Sequence, residues 1–182
     1  MSQADTARQT FAAAREEIIT RMQQRDAVLL GYLAAVGAIF GFVSGKPDLL
    51  WMLPFLALGA SLLVAQHQEA IGSLQHFLVS ELEPFFKQKQ EDAPQWNSSA
   101  AYKEFSDRSL GWRFAAHFVL IPIPSVVGLY VYWLQTTGTV WKRLGYLAII
   151  LLSIAVLMIS HIYGWELHRQ LKKASQAARQ QS

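Results

Sequence analysis

Four stretches of this chain contain no Asp, Glu, Lys or Arg: Ala27 to Gly45, Leu49 to Gln68, Phe114 to Val140 and Leu144 to Trp165. Each is long enough to cross the hydrocarbon core of a bilayer, which takes roughly 20 apolar residues as a helix rising about 1.5 Å per residue. The expected fold is therefore all-α: an integral membrane protein with four transmembrane helices, arranged as two hairpins with helical cytoplasmic extensions.

Of the 182 residues, 52% are hydrophobic and only 16% are charged, against about 25% charged in ordinary soluble domains. Cysteine is absent, which excludes disulfides, thiolate catalysis and cysteine metal sites. Residues Ser2 to Asp26 are polar and carry both signs of charge, unlike a cleaved leader or a transit peptide. A pI near 9.3 invites a nucleic-acid reading, but the basic residues follow the membrane instead. Arg8, Arg15, Arg21 and Arg25 precede the first span, Lys87, Lys89, Lys103, Arg108 and Arg113 separate the second from the third, and Arg169, Lys172, Lys173 and Arg179 follow the fourth. Only Lys46, and Lys142 with Arg143, occupy the two remaining connections. The positive-inside rule then places both termini and the central segment in the cytoplasm, with the bacterial inner membrane as the expected location and no nucleic-acid partner. Trp51, Trp133, Trp141 and Tyr146 fall near one interface and Trp112, Tyr163 and Trp165 near the other, as aromatic belts do.

The chain divides accordingly. Residues 1–26 form a cytoplasmic amphipathic helix, 27–68 the first hairpin, 69–112 a cytoplasmic helical segment with a linker near 87–97, 113–163 the second hairpin, and 164–182 a cytoplasmic C-terminal helix. Short turns rich in Gly, Pro, Thr and Asp close the hairpins at Ser44 to Asp48 and Thr136 to Arg143. Phe11, Ile18 and Met22 recur at helical spacing, as do Ile71, Leu74, Leu78 and Leu82. Folding the first hairpin about its turn sets Met22 against Ile71, Ile18 against Leu74 and Phe11 against Leu82. The first two helices are thus expected to leave the membrane as an antiparallel pair ending near Pro84, joined by a weaker stripe at Leu167, Leu171, Ala174 and Ala178. Beyond the linker, a short helix carrying Tyr102, Phe105 and Leu110 either lies along the interface or covers this pair.

Three groups of residues within the spans draw attention. Gly37, Gly41 and Gly45 follow one another at four-residue spacing, as do Ala57, Ser61 and Ala65. Small residues on one stripe let helix backbones approach where lipid removes the hydrophobic drive, so both stripes are expected to face protein, either within the chain or on another copy. Pro122 and Pro124 interrupt the third span and free the carbonyls of Phe118 and Leu120, which predicts a kink turned toward protein or a wet cavity. Asp26, His67, His117 and His161 should share one layer at the cytoplasmic edge. If they face inward they would form a pH-sensitive constriction; the bland reading is four separate interfacial side chains.

No carboxylate, lysine or arginine sits inside any span, whereas ion-coupled transporters usually keep at least one such group despite its cost. The histidines are too sparse for a di-iron site and Glu166-Leu167-His168 has the wrong interval for Glu-x-x-His. No phosphate loop, dinucleotide fingerprint or nucleophile elbow is present. The chain is therefore not expected to be an enzyme, and no metal or cofactor is assigned. Its size, the long extension IGSLQHFLVSELEP after the second span and the absence of a catalytic set make the architecture resemble small multi-span bacterial effector proteins of defence and toxin systems. That resemblance implies a homo-oligomer in the lipid bilayer, gated through cytoplasmic helices and forming a channel or pore. The alternative is a non-conducting anchor or scaffold for a cytoplasmic protein partner.

Overall fold

The computed structural model describes residues 3–88, 111–112, 115–135 and 140–180. The linker beyond Gln88, the segment with Tyr102, Phe105 and Leu110, and the tip of the second turn lie outside the described residues. Within them every element is helical. Helix α1 (Gln3–Phe42) is followed by a 3-10 turn (Pro47–Trp51), α2 (Met52–Phe77), a π turn (Leu78–Leu82), α3 (Glu83–Gln88), α4 (Pro122–Gln135) and α5 (Val140–Gln180). Ala115 to Leu120 forms a helical lead-in to α4, broken at Ile121. Four helical stretches are long and apolar enough to cross a membrane: Gln3–Phe42, Pro47–Phe86, Ala115–Gln135 and Val140–Leu167. The chain has the architecture of a multi-pass membrane protein.

The surface follows from that solvent. Phe55, Leu62, Tyr130, Leu134, Leu151 and Ile159 are all more than half exposed, an apolar area that water would not tolerate and acyl chains cover. Inside, one cluster joins Tyr32, Val36 and Ile39 of α1 to Leu53, Ala57, Ala60 and Val64 of α2, with Ile121, Tyr132 and Leu157 from the second hairpin. Helix α2 packs along α1, α4 and α5 and is the central helix. Ser61 meets Ser153 and Gln68 meets Ser160, each pair 92 positions apart. A constant offset means that α2 and α5 run parallel, so the two hairpins stand side by side in the same sense.

A second cluster lies beyond the charge-free stretches of α1 and α2 and forms an arm. Ala7, Ala14 and Ile18 of α1 pack with Ile71, Leu78, Leu82 and Phe86, flanked by Phe11, Met22 and Leu74, and Phe11 meets Phe86 edge-on at 6.3 Å. The antiparallel pair is therefore formed, but its second helix does not stop at Pro84. A proline ring clashes with the carbonyl four residues back. The π turn just before it widens that turn, the Glu83 N–H donating to the Leu78 carbonyl, and places Pro84 in the first turn of α3, where its missing N–H costs little. The wider turn also keeps Leu78, Leu82 and Phe86 on one face; a regular helix would rotate each four-residue step by about 40°. Ser80 Oγ donates to the His76 carbonyl at 2.7 Å within the same stretch. Helix α5 joins the arm, with Leu167 seated on Gly72.

Candidate functional site

Helix α5 presents Tyr146, Ser153 and Ser160 at seven-residue intervals toward α2, and each forms a polar rung. The Tyr146 hydroxyl donates to the Leu50 carbonyl at 2.9 Å, Ser153 Oγ lies 2.8 Å from Ser61 Oγ, and Ser160 Oγ donates to Gln68 Oε1 at 3.1 Å. The first rung has a covalent cause. Leu50 lies in the 3-10 turn, where the Met52 N–H reaches its carbonyl; the α-helical donor to that carbonyl would be residue 54, which is proline, and the Tyr146 hydroxyl adds a donor where that one is missing. In lipid an unsatisfied carbonyl is expensive. Tyr146 is fully buried, stacks on Tyr132 and meets Trp51 edge-on at 5.5 Å. Trp51 and Tyr146, expected as headgroup rings, are thus part of the packing. Trp133 and Trp141 remain exposed at that end, the Arg143 guanidinium lying 4.9 Å over the Trp133 ring. Trp112, Tyr163 and Trp165 are exposed.

Successive rungs are roughly 10 Å apart along α5 at about 1.5 Å per residue, and fully buried Leu53, Ala57 and Val64 line α2 between them. A proton or ion moves between partners about 3 Å apart; the ladder is no wire. What it does is set register, since interhelical hydrogen bonds hold membrane helices at one mutual height.

The proline break in the third span is met similarly. Ile121 N–H still reaches the His117 carbonyl at 3.1 Å, and the Tyr32 hydroxyl of α1 donates to the Ile121 carbonyl at 2.6 Å. Pro122 and Ser125 are buried and Pro124 half-buried, so the break turns inward. The hydroxyl lands on a carbonyl next to those of Phe118 and Leu120. One helical turn further, Gly128 lets the helices close. A Cβ there would lie 2.5 Å from Leu53 Cδ1 and 2.7 Å from the Tyr146 hydroxyl.

The two small-residue stripes part company. Ala57 and Ser61 are fully buried and Ala65 half-buried. Gly37, Gly41 and Gly45 are exposed, and a Cβ on any of them would meet nothing within 4 Å. The edge-layer residues are also dispersed in role. Asp26 is exposed and takes Arg25 Nη2 on Oδ1 at 2.8 Å. His67 is buried with its Nδ1 lacking a hydrogen-bond partner. His161 is half-buried and tilts against Trp165 at 6.3 Å. His117 is buried, its Nδ1 3.1 Å from Gln68 Nε2. Among the described residues no group of three or more His, Cys, Asp or Glu side chains is placed to hold a metal ion.

Sequence reasoning passed over Gln68, Gly128, Pro54, Ser153 and Ser160, while Ser61 was expected only on a packing stripe. Two signals were legible. Ile121, Ser125, Gly128 and Tyr132 recur at helical spacing, and Tyr146, Ser153 and Ser160 are polar residues every seventh position in an otherwise apolar helix. The chain matches no protein family, no curated protein and no solved structure.

Proposed function

We propose that the chain is an oligomeric inner-membrane protein of the channel or pore type, worked through its cytoplasmic helices and not by catalysis. The observation that carries this is continuity. Helix α1 passes from arm to span as one element of 40 residues, with no Gly or Pro before Gly31, so a movement of the arm travels as a rigid rod into the face bearing Gly37 and Gly41. Copies of the chain meet on that face. The corresponding outward face of α4 carries exposed Ile123, Val127, Tyr130 and Leu134, bulky groups suited to lipid, whereas α1 shows Leu30, Ala34, Gly37 and Gly41. Close helix approach is what such a change of size favours.

The conduction path of this reading lies between copies, because Leu50, Leu53, Val64, Ile121, Tyr132 and Tyr146 fill the interior of a single unit. That same closed interior favours the second reading, a non-conducting anchor holding a cytoplasmic protein by its arm. Reconstitution separates them. Purified protein in liposomes should release a trapped ion or dye, and Gly37→Leu with Gly41→Leu should reduce the oligomer to single units and abolish release. Tight vesicles in the presence of an intact oligomer would remove the conduction reading and leave the anchor.

A further inference from the structure

Helix α5 outruns its own apolar stretch, and its two faces meet different neighbours there. Ser153, Ser160 and Leu167, seven residues apart, turn inward, the serines to Ser61 and Gln68 and the leucine onto Gly72. Met158, Ile162, Trp165, Arg169 and Lys173, three or four residues apart, share the opposite face, and all five are exposed. Followed out of the stretch that can cross a membrane, Val140–Leu167, this stripe passes from aliphatic through indole to cationic groups. The helix rises about 6 Å from Trp165 to Arg169 and about 12 Å from Trp165 to Lys173, while the headgroup region is roughly 5–8 Å deep on each side of the hydrocarbon. With the indole at the edge of the hydrocarbon, Arg169 reaches the phosphates, and Lys173 bends its long stem back toward them. Glu166 lies beside the stripe, its Oε2 3.6 Å from Arg169 Nη1, both side chains exposed. A pair in the open is held weakly, so the guanidinium can exchange it for a phosphate, which accepts from two of its N–H groups at once. Continuity with the aliphatic groups at Met158 and Ile162 makes the occupant a lipid and not a soluble anion.

We propose that this stripe of α5 is a binding surface for anionic phospholipid at the arm end of the spans, with Arg169 and Lys173 on the phosphates, Trp165 at the interface and Ile162 among the acyl chains. It requires only that α5 cross the bilayer, and stands whether the assembly conducts or only anchors. The test uses the full chain in phosphatidylcholine nanodiscs holding a minor share of lipid brominated near the glycerol end of its acyl chains, either phosphatidylglycerol or phosphatidylcholine. Bromine quenches an indole in contact with it, and the share of emission due to Trp165 is the difference between the wild type and Trp165→Phe. Occupancy beside Trp165 should favour phosphatidylglycerol about fivefold, the effect of one basic side chain near an anionic lipid surface. Arg169→Gln combined with Lys173→Gln should erase the preference. Glu166→Gln, which releases Arg169 from its neighbour, should increase it. Equal quenching by the two brominated lipids overturns the headgroup assignment. Quenching by neither shows that protein, a second copy included, covers the stripe, and overturns it as well. Should the double variant fail to fold, the wild-type comparison and Glu166→Gln still decide.

Discussion

Glycine plays two different parts in this chain, and single substitutions separate them. Gly128→Ala drives a methyl group into Leu53 and the Tyr146 hydroxyl; overpacking of this kind typically costs about 1–3 kcal/mol. It should appear as a lowered unfolding midpoint in detergent, with Tyr146 losing its hold on the Leu50 carbonyl. Gly72→Ala meets only the tip of Leu167, a side chain that can swing away, and should cost less. Gly37→Ala meets no described residue within 4 Å and should not lower the stability of a single unit. Among the rungs, Ser61→Ala and Ser153→Ala should show a coupling near 0.6 kcal/mol in a double-mutant cycle, the usual worth of an interhelical bond in lipid. Tyr146→Phe should cost more than either serine change, because Pro54 cannot supply the helical N–H to the Leu50 carbonyl.

At the scale of elements, the proposed placement puts the arm and the spans in different solvents, and they should fail separately. The arm packs Ala14, Ile18, Leu78, Leu82 and Phe86 together; on the proposed reading it stands in water and is held by the hydrophobic effect, whereas the spans are held by fit and by the rungs. Leu78 is fully buried, and Leu78→Ala should weaken the arm by about 2–5 kcal/mol. Hydrogen exchange should then rise across residues 7–22 and 71–86 while the amides near Ser61 and Ser153 stay protected. Loss of protection in both regions together would show that the arm and the bundle form one cooperative unit. The antiparallel pairing of this arm was legible because its apolar stripes match across the turn. The π turn was not, because the pattern records which face is apolar and says nothing of how the backbone accommodates Pro84.

For the whole molecule, the parallel course of α2 and α5 implies an even number of crossings and puts the beginning of α1 and the end of α5 at the same end. Reporter fusions at the two ends should report one compartment, and the chain should stay with the membrane through alkaline carbonate washing. The arm end should be the cytoplasmic one, since most basic residues lie there.

Charge-free length by itself determined four helices long and apolar enough to cross a membrane, and matched apolar stripes determined the arm, because a bilayer reads length and polarity and little else. Which faces meet was decided only in three dimensions. Both four-residue stripes obey the same packing rule, yet one is buried against α5 and the other faces outward, since a helix has several faces and only its neighbours select among them. The same holds for the edge layer. Hairpin register placed Asp26, His67, His117 and His161 at one height, but rotation about each helix axis gave His117 to Gln68, turned His161 toward Trp165 and left Asp26 to Arg25. Height along a helix is written in residue number; azimuth is settled by packing.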